Sequence, residues 1–151
     1  KTKALNSFKR ARLAFFTLKS KSSTTFANAI RWLVKAELVV EDDGGWLVAT
    51  VEGQRQSPGI PISLGRALYE RWCQELRDYD LKLFAQICKE RSGLTRAELS
   101  KRTGQSKSST TFASAIRHLK RKGLVTETTG EGRDARRILL VDYVRTAMGL
   151  S

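Results

Sequence analysis

The sequence predicts a mainly α-helical protein with small β-hairpins, built as two similar units joined by a connecting helix. Three observations carry this. Residues 20–33, SKSSTTFANAIRWL, return as residues 106–119, SKSSTTFASAIRHL, with only Asn28/Ser114 and Trp32/His118 differing. Aligned without gaps at an offset of 86, residues 8–39 and 94–125 share 18 of 32 positions, so a whole unit is duplicated. In each copy a helical apolar period gives way to β-prone runs around a Gly-containing turn.

The elements follow in order. Copy one holds a helix in KRARLAFF (9–16), a second helix in the repeated segment, and the hairpin LVVEDDGGWLVATV (38–51), which is expected to close on Asp43-Gly44. Residues 1–5 are all that stands where copy two has a preceding helix, so either a segment upstream or another element is expected to cover that side. After the Pro58-to-Pro61 loop, Leu64, Leu68, Trp72, Leu76 and Tyr79 recur near helical spacing and predict a helix over 63–79. This helix is the expected intramolecular cover for copy one; a homodimer seam is the alternative use of its stripe.

In copy two, Asp80 is placed to cap a helix through LKLFAQICKER, with Leu81, Phe84, Ile87 and Cys88 on one face. Ser92-Gly93 ends it. Thr95 and Glu98 have the spacing of a capping box, which opens a short helix over 96–102 that stops at Gly104. A third helix is expected from about Ser108 to Lys122, with Gly123 as its stop. The run LVTETTGEGRDARRILLV reads as a hairpin, and VDYVRTAMGLS as a short terminal helix. The expected boundaries are 1–57 for the first unit, 58–79 for the connecting loop and helix, and 80–151 for the second.

Three helices followed by a two-stranded hairpin is the order of a winged helix-turn-helix. LTRAELSKRTGQSKSSTTFASAIRHLKRKGLVTE (94–127) resembles the MarR-type and related winged-helix regulators. Leu99, Gly104, Phe112, Ile116, Leu119 and Gly123-Leu124-Val125 stand where that pattern has its second helix, turn, third helix and entry to the wing. The resemblance covers about 60 residues of copy two and about 45 of copy one. The chain departs from the pattern in a turn about two residues longer than usual between Gly104 and the third helix. The resemblance implies two tandem winged-helix domains joined by a linker helix.

Charge points to the partner. The chain carries a net +13, from 28 Lys and Arg against 15 Asp and Glu. Residues 1–51 hold nine basic and four acidic groups, residues 52–80 four and five, and residues 81–151 fifteen and six. Both copies are therefore basic, which favours polyanions. With no apolar run near 18 residues, no membrane span is expected, and no signal-peptide pattern opens the chain.

On a helical wheel Phe112, Ala115, Ile116 and Leu119 gather on the side to be buried. Opposite lie Lys107, Thr110, Ser114, Arg117 and Arg121; the same face of copy one is Lys21, Thr24, Asn28, Arg31 and Lys35. In a helix-turn-helix this helix enters the major groove. Arg31 and Arg117 carry the fork that bonds guanine O6 and N7, and Asn28 the amide that pairs with adenine. Lys21, Ser22 and Ser23, with Lys107, Ser108 and Ser109, suit phosphate oxygens beside the helix-start amides. Arg133, Arg136 and Arg137 of the second wing suit backbone or minor-groove contact, whereas Glu41, Asp42 and Asp43 of the first would repel phosphate. A solvated face is the plainer alternative, but the flanks have drifted while identity concentrates on this helix and its outward faces stay nearly interchangeable.

Other chemistry lacks its residues. No phosphate-loop motif occurs, and one histidine with two unpaired-spacing cysteines, Cys73 and Cys88, gives no metal set. Tyr69, Tyr79 and Tyr143 have no accompanying histidine set for nucleophilic work. No cofactor and no catalysis are expected. The reading is double-stranded DNA binding at two similar subsites by a cytoplasmic, or in bacteria nucleoid-associated, transcription regulator. The rivals are a plasmid or phage replication initiator or partition factor, a protein-assembly module of tandem winged helices, and RNA binding.

Overall fold

The computed structural model describes residues 7–20, 22–57, 64–132 and 135–150. The chain is mainly helical and divides between Ile62 and Ser63 into two compact units, each with one three-stranded antiparallel sheet. The expected helix over residues 63–79 therefore stands inside the second unit. Lys1–Asn6 and the Pro58-to-Pro61 loop lie outside the described residues.

The first unit runs β1 (Ser7–Lys9), α1 (Arg10–Phe16), α2 (Thr24–Lys35), β2 (Val39–Glu41), β3 (Trp46–Ala49) and α3 (Val51–Gln56). The sheet order is β1-β3-β2, with Phe8 opposite Leu47 and Val40 opposite Val48. Its core is Ala14, Phe26, Ile30 and Leu47, with Leu13 and Val39 packed against them. Phe26 and Ile30 are four apart, so one stripe of α2 faces inward. Asp42 shapes the hairpin by accepting N–H bonds from Gly44 (2.9 Å) and Trp46 (2.8 Å).

The second unit runs α4 (Gly65–Glu75), α5 (Asp78–Lys89), β4 (Leu94–Thr95), α6 (Arg96–Thr103), α7 (Thr110–Arg121), β5 (Val125–Glu127), β6 (Arg137–Leu140) and α8 (Asp142–Ala147). The sheet order is β4-β6-β5, and Ile138 of the central strand faces Leu94 on one side and Glu127 on the other. Leu83, Phe84, Ile87, Leu99, Phe112, Ile116, Leu119, Leu124 and Ile138 are fully buried. Burial of each large apolar side chain contributes about 1.5–3 kcal/mol, so this interlocking set fixes the helices on the sheet.

The capping box forms as expected: Thr95 Oγ1 accepts from Glu98 N–H, and Glu98 accepts from Thr95 N–H at 2.7 Å. Several expectations are corrected. The expected helix over 63–79 ends at Glu75, because Leu76 turns extended (ψ 140°); Tyr79 then belongs to α5, and Leu64 is exposed. Asp80 does not cap α5. It sits in its first turn and bonds His118 Nδ1 at 3.0 Å. The buried face of α5 includes Leu83, with Leu81 only half-buried. Each hairpin gains a third strand, β1 or β4, which supplies backbone partners to one edge of β3 or β6.

The duplication extends further than sequence identity. At the offset of 86, β1/β4, α1/α6, α2/α7 and β2/β5 coincide; after hairpin loops of unequal length, β3/β6 and α3/α8 resume the match. The helix α3 is not among the expected elements, although Thr50 caps it by accepting from Gly53 N–H; Thr50 N–H bonds Leu38 O at 3.0 Å as Val141 N–H bonds Leu124 O at 3.1 Å. One ion pair is repeated too: Arg10–Glu41 at 2.6 Å and Arg96–Glu127 at 2.7 Å tie the start of one helix to a hairpin strand in each unit.

Candidate nucleic-acid interface

The repeated segment builds the same local structure twice. Ser20 and Ser22 share a hydroxyl hydrogen bond of 2.8 Å, and Ser106 and Ser108 one of 2.9 Å. Ser23 then accepts the N–H of Phe26, and Ser109 that of Phe112, so both serines are helix N-caps. Such a cap is worth about 1 kcal/mol and fixes where the helix begins. The expected start of the third helix near Ser108 is therefore corrected to Thr110. Ser109 also accepts from Gln105 Nε2 at 3.1 Å, which leaves its O–H as the group able to meet a phosphate.

Beyond the caps the two helices bury one stripe and expose the opposite one. In α7 the buried stripe is Phe112, Ala115, Ile116 and Leu119; in α2 it is Phe26 and Ile30. Thr24, Asn28, Arg31 and Lys35 are all exposed, as are Thr110, Arg117 and Arg121, with Ser114 half-buried. Ser22, Lys107 and Ser108 are exposed in the turns before the helices, and Ser23 and Ser109 are half-buried. Lys21 lies outside the described residues. At 1.5 Å per residue, Thr110 to Arg121 spans about 16 Å.

The two differences between the repeats have structural consequences. Asn28 Oδ1 accepts from the Arg31 guanidinium at 3.1 Å, which holds the arginine along the helix. Ser114 makes no such bond to Arg117. Trp32 is 63% exposed, whereas His118 turns to Asp80 at the margin of the same face. The last turn of α7 carries His118, Lys120 and Arg121, which suit the negative helix end.

The hairpins depart from their expected roles. Arg137 does not project from a wing tip. It lies in β6, donates to Gly93 O at 2.9 Å and sits 3.9 Å from Glu98, because pairing of β4 with β6 brings that carbonyl to it. Arg136 is exposed, and Arg133 lies outside the described residues. Glu41 is bound to Arg10, which holds its carboxyl below the usual glutamate range, and Asp42 is bound within its turn. Of the three carboxylates expected to repel phosphate, two are thus engaged in the fold. Glu127 is more enclosed. Burial opposes its ionisation, yet the Lys120 ammonium at 2.6 Å and the Arg96 guanidinium outweigh burial and keep its carboxyl below the usual range.

The thiols and phenols read as packed groups. Burial pushes the Cys88 thiol up to about 12, far from a reactive thiolate. Tyr69 stacks on Phe84, and Tyr79 shares a hydrogen bond with Thr103 Oγ1. Among the described residues no three metal-ligating side chains cluster, and no helix is long and apolar enough to cross a membrane. Neither a protein-family model nor a curated protein sequence matches this chain.

Proposed function

We propose that this chain is a tandem winged helix-turn-helix protein that binds duplex DNA sequence-specifically, with α2 and α7 as its two reading helices. The observation that carries the reading is the repeated outward face: Thr24, Asn28, Arg31 and Lys35 on one helix, Thr110, Ser114, Arg117 and Arg121 on the other. A core requires the repeated Phe and Ile but does not require the same exposed Thr and Arg. A groove that presents the same base edges twice does require them. The third strand in each sheet and the hairpin that follows the reading helix support the winged arrangement. The net charge of +13 supplies the attraction to phosphate.

In this reading the chain binds and does not catalyse. Arg31 and Arg117 read base edges, Asn28 adds a discriminating amide to one subsite, and Lys35, Arg121, Lys107 and the turn serines position the backbone. Transcription regulation is the role favoured, and binding at an origin in place of a promoter would assign it to replication initiation. The test is selection from random duplexes, followed by footprinting and a salt titration. Two similar motifs per site are expected, with log K falling against log salt at a slope of about −4 or steeper. Weak binding indifferent to sequence would sink the proposal.

A further inference from the structure

The two units differ most clearly in what covers their apolar floor. In the second unit α5 packs on α6, α7 and β6 through Leu83, Phe84, Ile87 and Cys88. Beneath it Leu94, Leu99, Ile116, Leu119, Val125 and Leu140 are at most 4% exposed. In the repeat their counterparts are Phe8, Leu13, Ile30, Leu33, Val39 and Ala49. These residues line an open apolar cavity of about 500 Å³ in the first unit. Leu13, Leu33, Val39 and Ala49 are only half-buried there. Among the described residues of this unit no element corresponds to α5: the offset of 86 pairs Ile87–Lys89 with residues 1–3, which lie outside them.

We infer that this groove is a helix-docking site whose occupant is an amphipathic helix bearing the apolar face of α5. The homologous floor already carries such a helix in the same chain, so the chemistry of the fit is given. The occupant presents large branched or aromatic side chains at i, i+1 and i+4 and a small apolar one at i+5, as Leu83, Phe84, Ile87 and Cys88 do. Ala49 stands where the second unit has Leu140, which leaves room for a bulkier side chain than α5 carries. Polar Gln54 and Ser57 lie at the groove and set one limit of its apolar strip. This inference does not rest on DNA binding.

The experiment adds a synthetic peptide of residues 77–90 to the whole chain with labelled methyl groups. Saturable binding is expected, with gain of peptide helicity and shifts at Leu13, Ile30, Leu33 and Val39, while the methyls of Leu99 and Ile116 stay still. Peptide carrying Phe84→Asp and Ile87→Asp is expected to bind at least about tenfold more weakly, the scale of losing a large buried apolar side chain. Ala49→Leu, which gives the floor the leucine that lies beneath α5 in the second unit, is expected to keep or strengthen binding, whereas Leu33→Asp is expected to weaken it at least about tenfold. Loss of peptide binding in the folded Ala49→Leu chain would overturn the inference even where Leu33→Asp unfolds the unit. No saturation near ~1 mM peptide, a weak-binding ceiling of about −4 kcal/mol, would overturn the inference. So would equal binding of the substituted peptide. Self-association of the chain that is lost on Leu33→Asp, with no peptide binding, would assign the groove to a second copy and overturn it as well.

Discussion

Leu18 and Glu37 stand at repeat positions that the second unit gives to Gly104 and Gly123, and all four have left-handed backbone. The φ values are 58° and 59° for the two side-chain-bearing residues, against 71° and 74° for the glycines. Each site follows the end of a helix, where a left-handed residue lets the last carbonyls find partners. A Cβ there costs about 1–3 kcal/mol, offset in part by the roughly 0.4–1 kcal/mol that glycine loses through unfolded-state entropy. Glu37→Gly is therefore expected to stabilise the first unit by about 0.5–1 kcal/mol, and Gly123→Ala to destabilise the second by a similar amount. Denaturant titration of both variants checks the opposite signs. Helix ends at Gly104 and Gly123 are legible in the sequence because glycine announces them. The equivalent ends at Leu18 and Glu37 are not, because tertiary packing imposes them on residues that prefer otherwise.

At the scale of elements, the ion pair between α6 and β5 ties a helix start to a hairpin strand, and Lys120 of α7 joins it at Glu127. The Glu127 and Arg96 side chains are 14% and 15% exposed, so their pairing is weakly screened, while the more exposed Lys120 is screened more. Its folded carboxyl sits below the ordinary glutamate range. The stability it contributes is fully present above that ordinary range and is lost as pH falls through the lowered folded value. Glu127→Gln is expected to lower stability by about 1–3 kcal/mol at neutral pH, with the deficit shrinking as the pH falls below about 4. Thermal melts of both proteins from neutral to acid pH measure this; a deficit constant with pH would show that packing, not charge, is lost. The identity of Glu41 and Glu127 is visible in the aligned repeats, but its meaning is not. Each glutamate lies 31 residues from its arginine, and only sheet formation closes that distance.

Across the whole molecule, the proposed function gives the chain two covalently linked reading helices and so implies a disproportionate dependence on both. If one module holds DNA, the other acts at a high effective concentration set by the tether. Arg31→Ala or Arg117→Ala alone is expected to cost about 1–3 kcal/mol of affinity and to relax specificity at one subsite. Replacing both, measured by competition against nonspecific duplex, is expected to bring affinity close to the nonspecific level. Asn28→Ser makes the two faces more alike, so the subsites selected by that variant are expected to converge in sequence. Arg137→Ala is expected to lower stability, since its guanidinium donates to Gly93 O and lies near Glu98. Arg136→Ala tests the wing itself.

The sequence by itself determined the duplication, the presence of α1, α2 and α4 to α8, the buried stripe of α7 and the repeated outward face. Each is a local property: a period of 3.6, a capping residue or a glycine stop within one turn of where it acts. Tertiary structure alone decided the third strand of each sheet, the bond of Arg137 to Gly93 and the engagement of Glu41. It also decided that one apolar floor is covered and that its twin is open among the described residues. These depend on residues tens of positions apart meeting across a sheet or beneath a helix, and no window of sequence contains both partners.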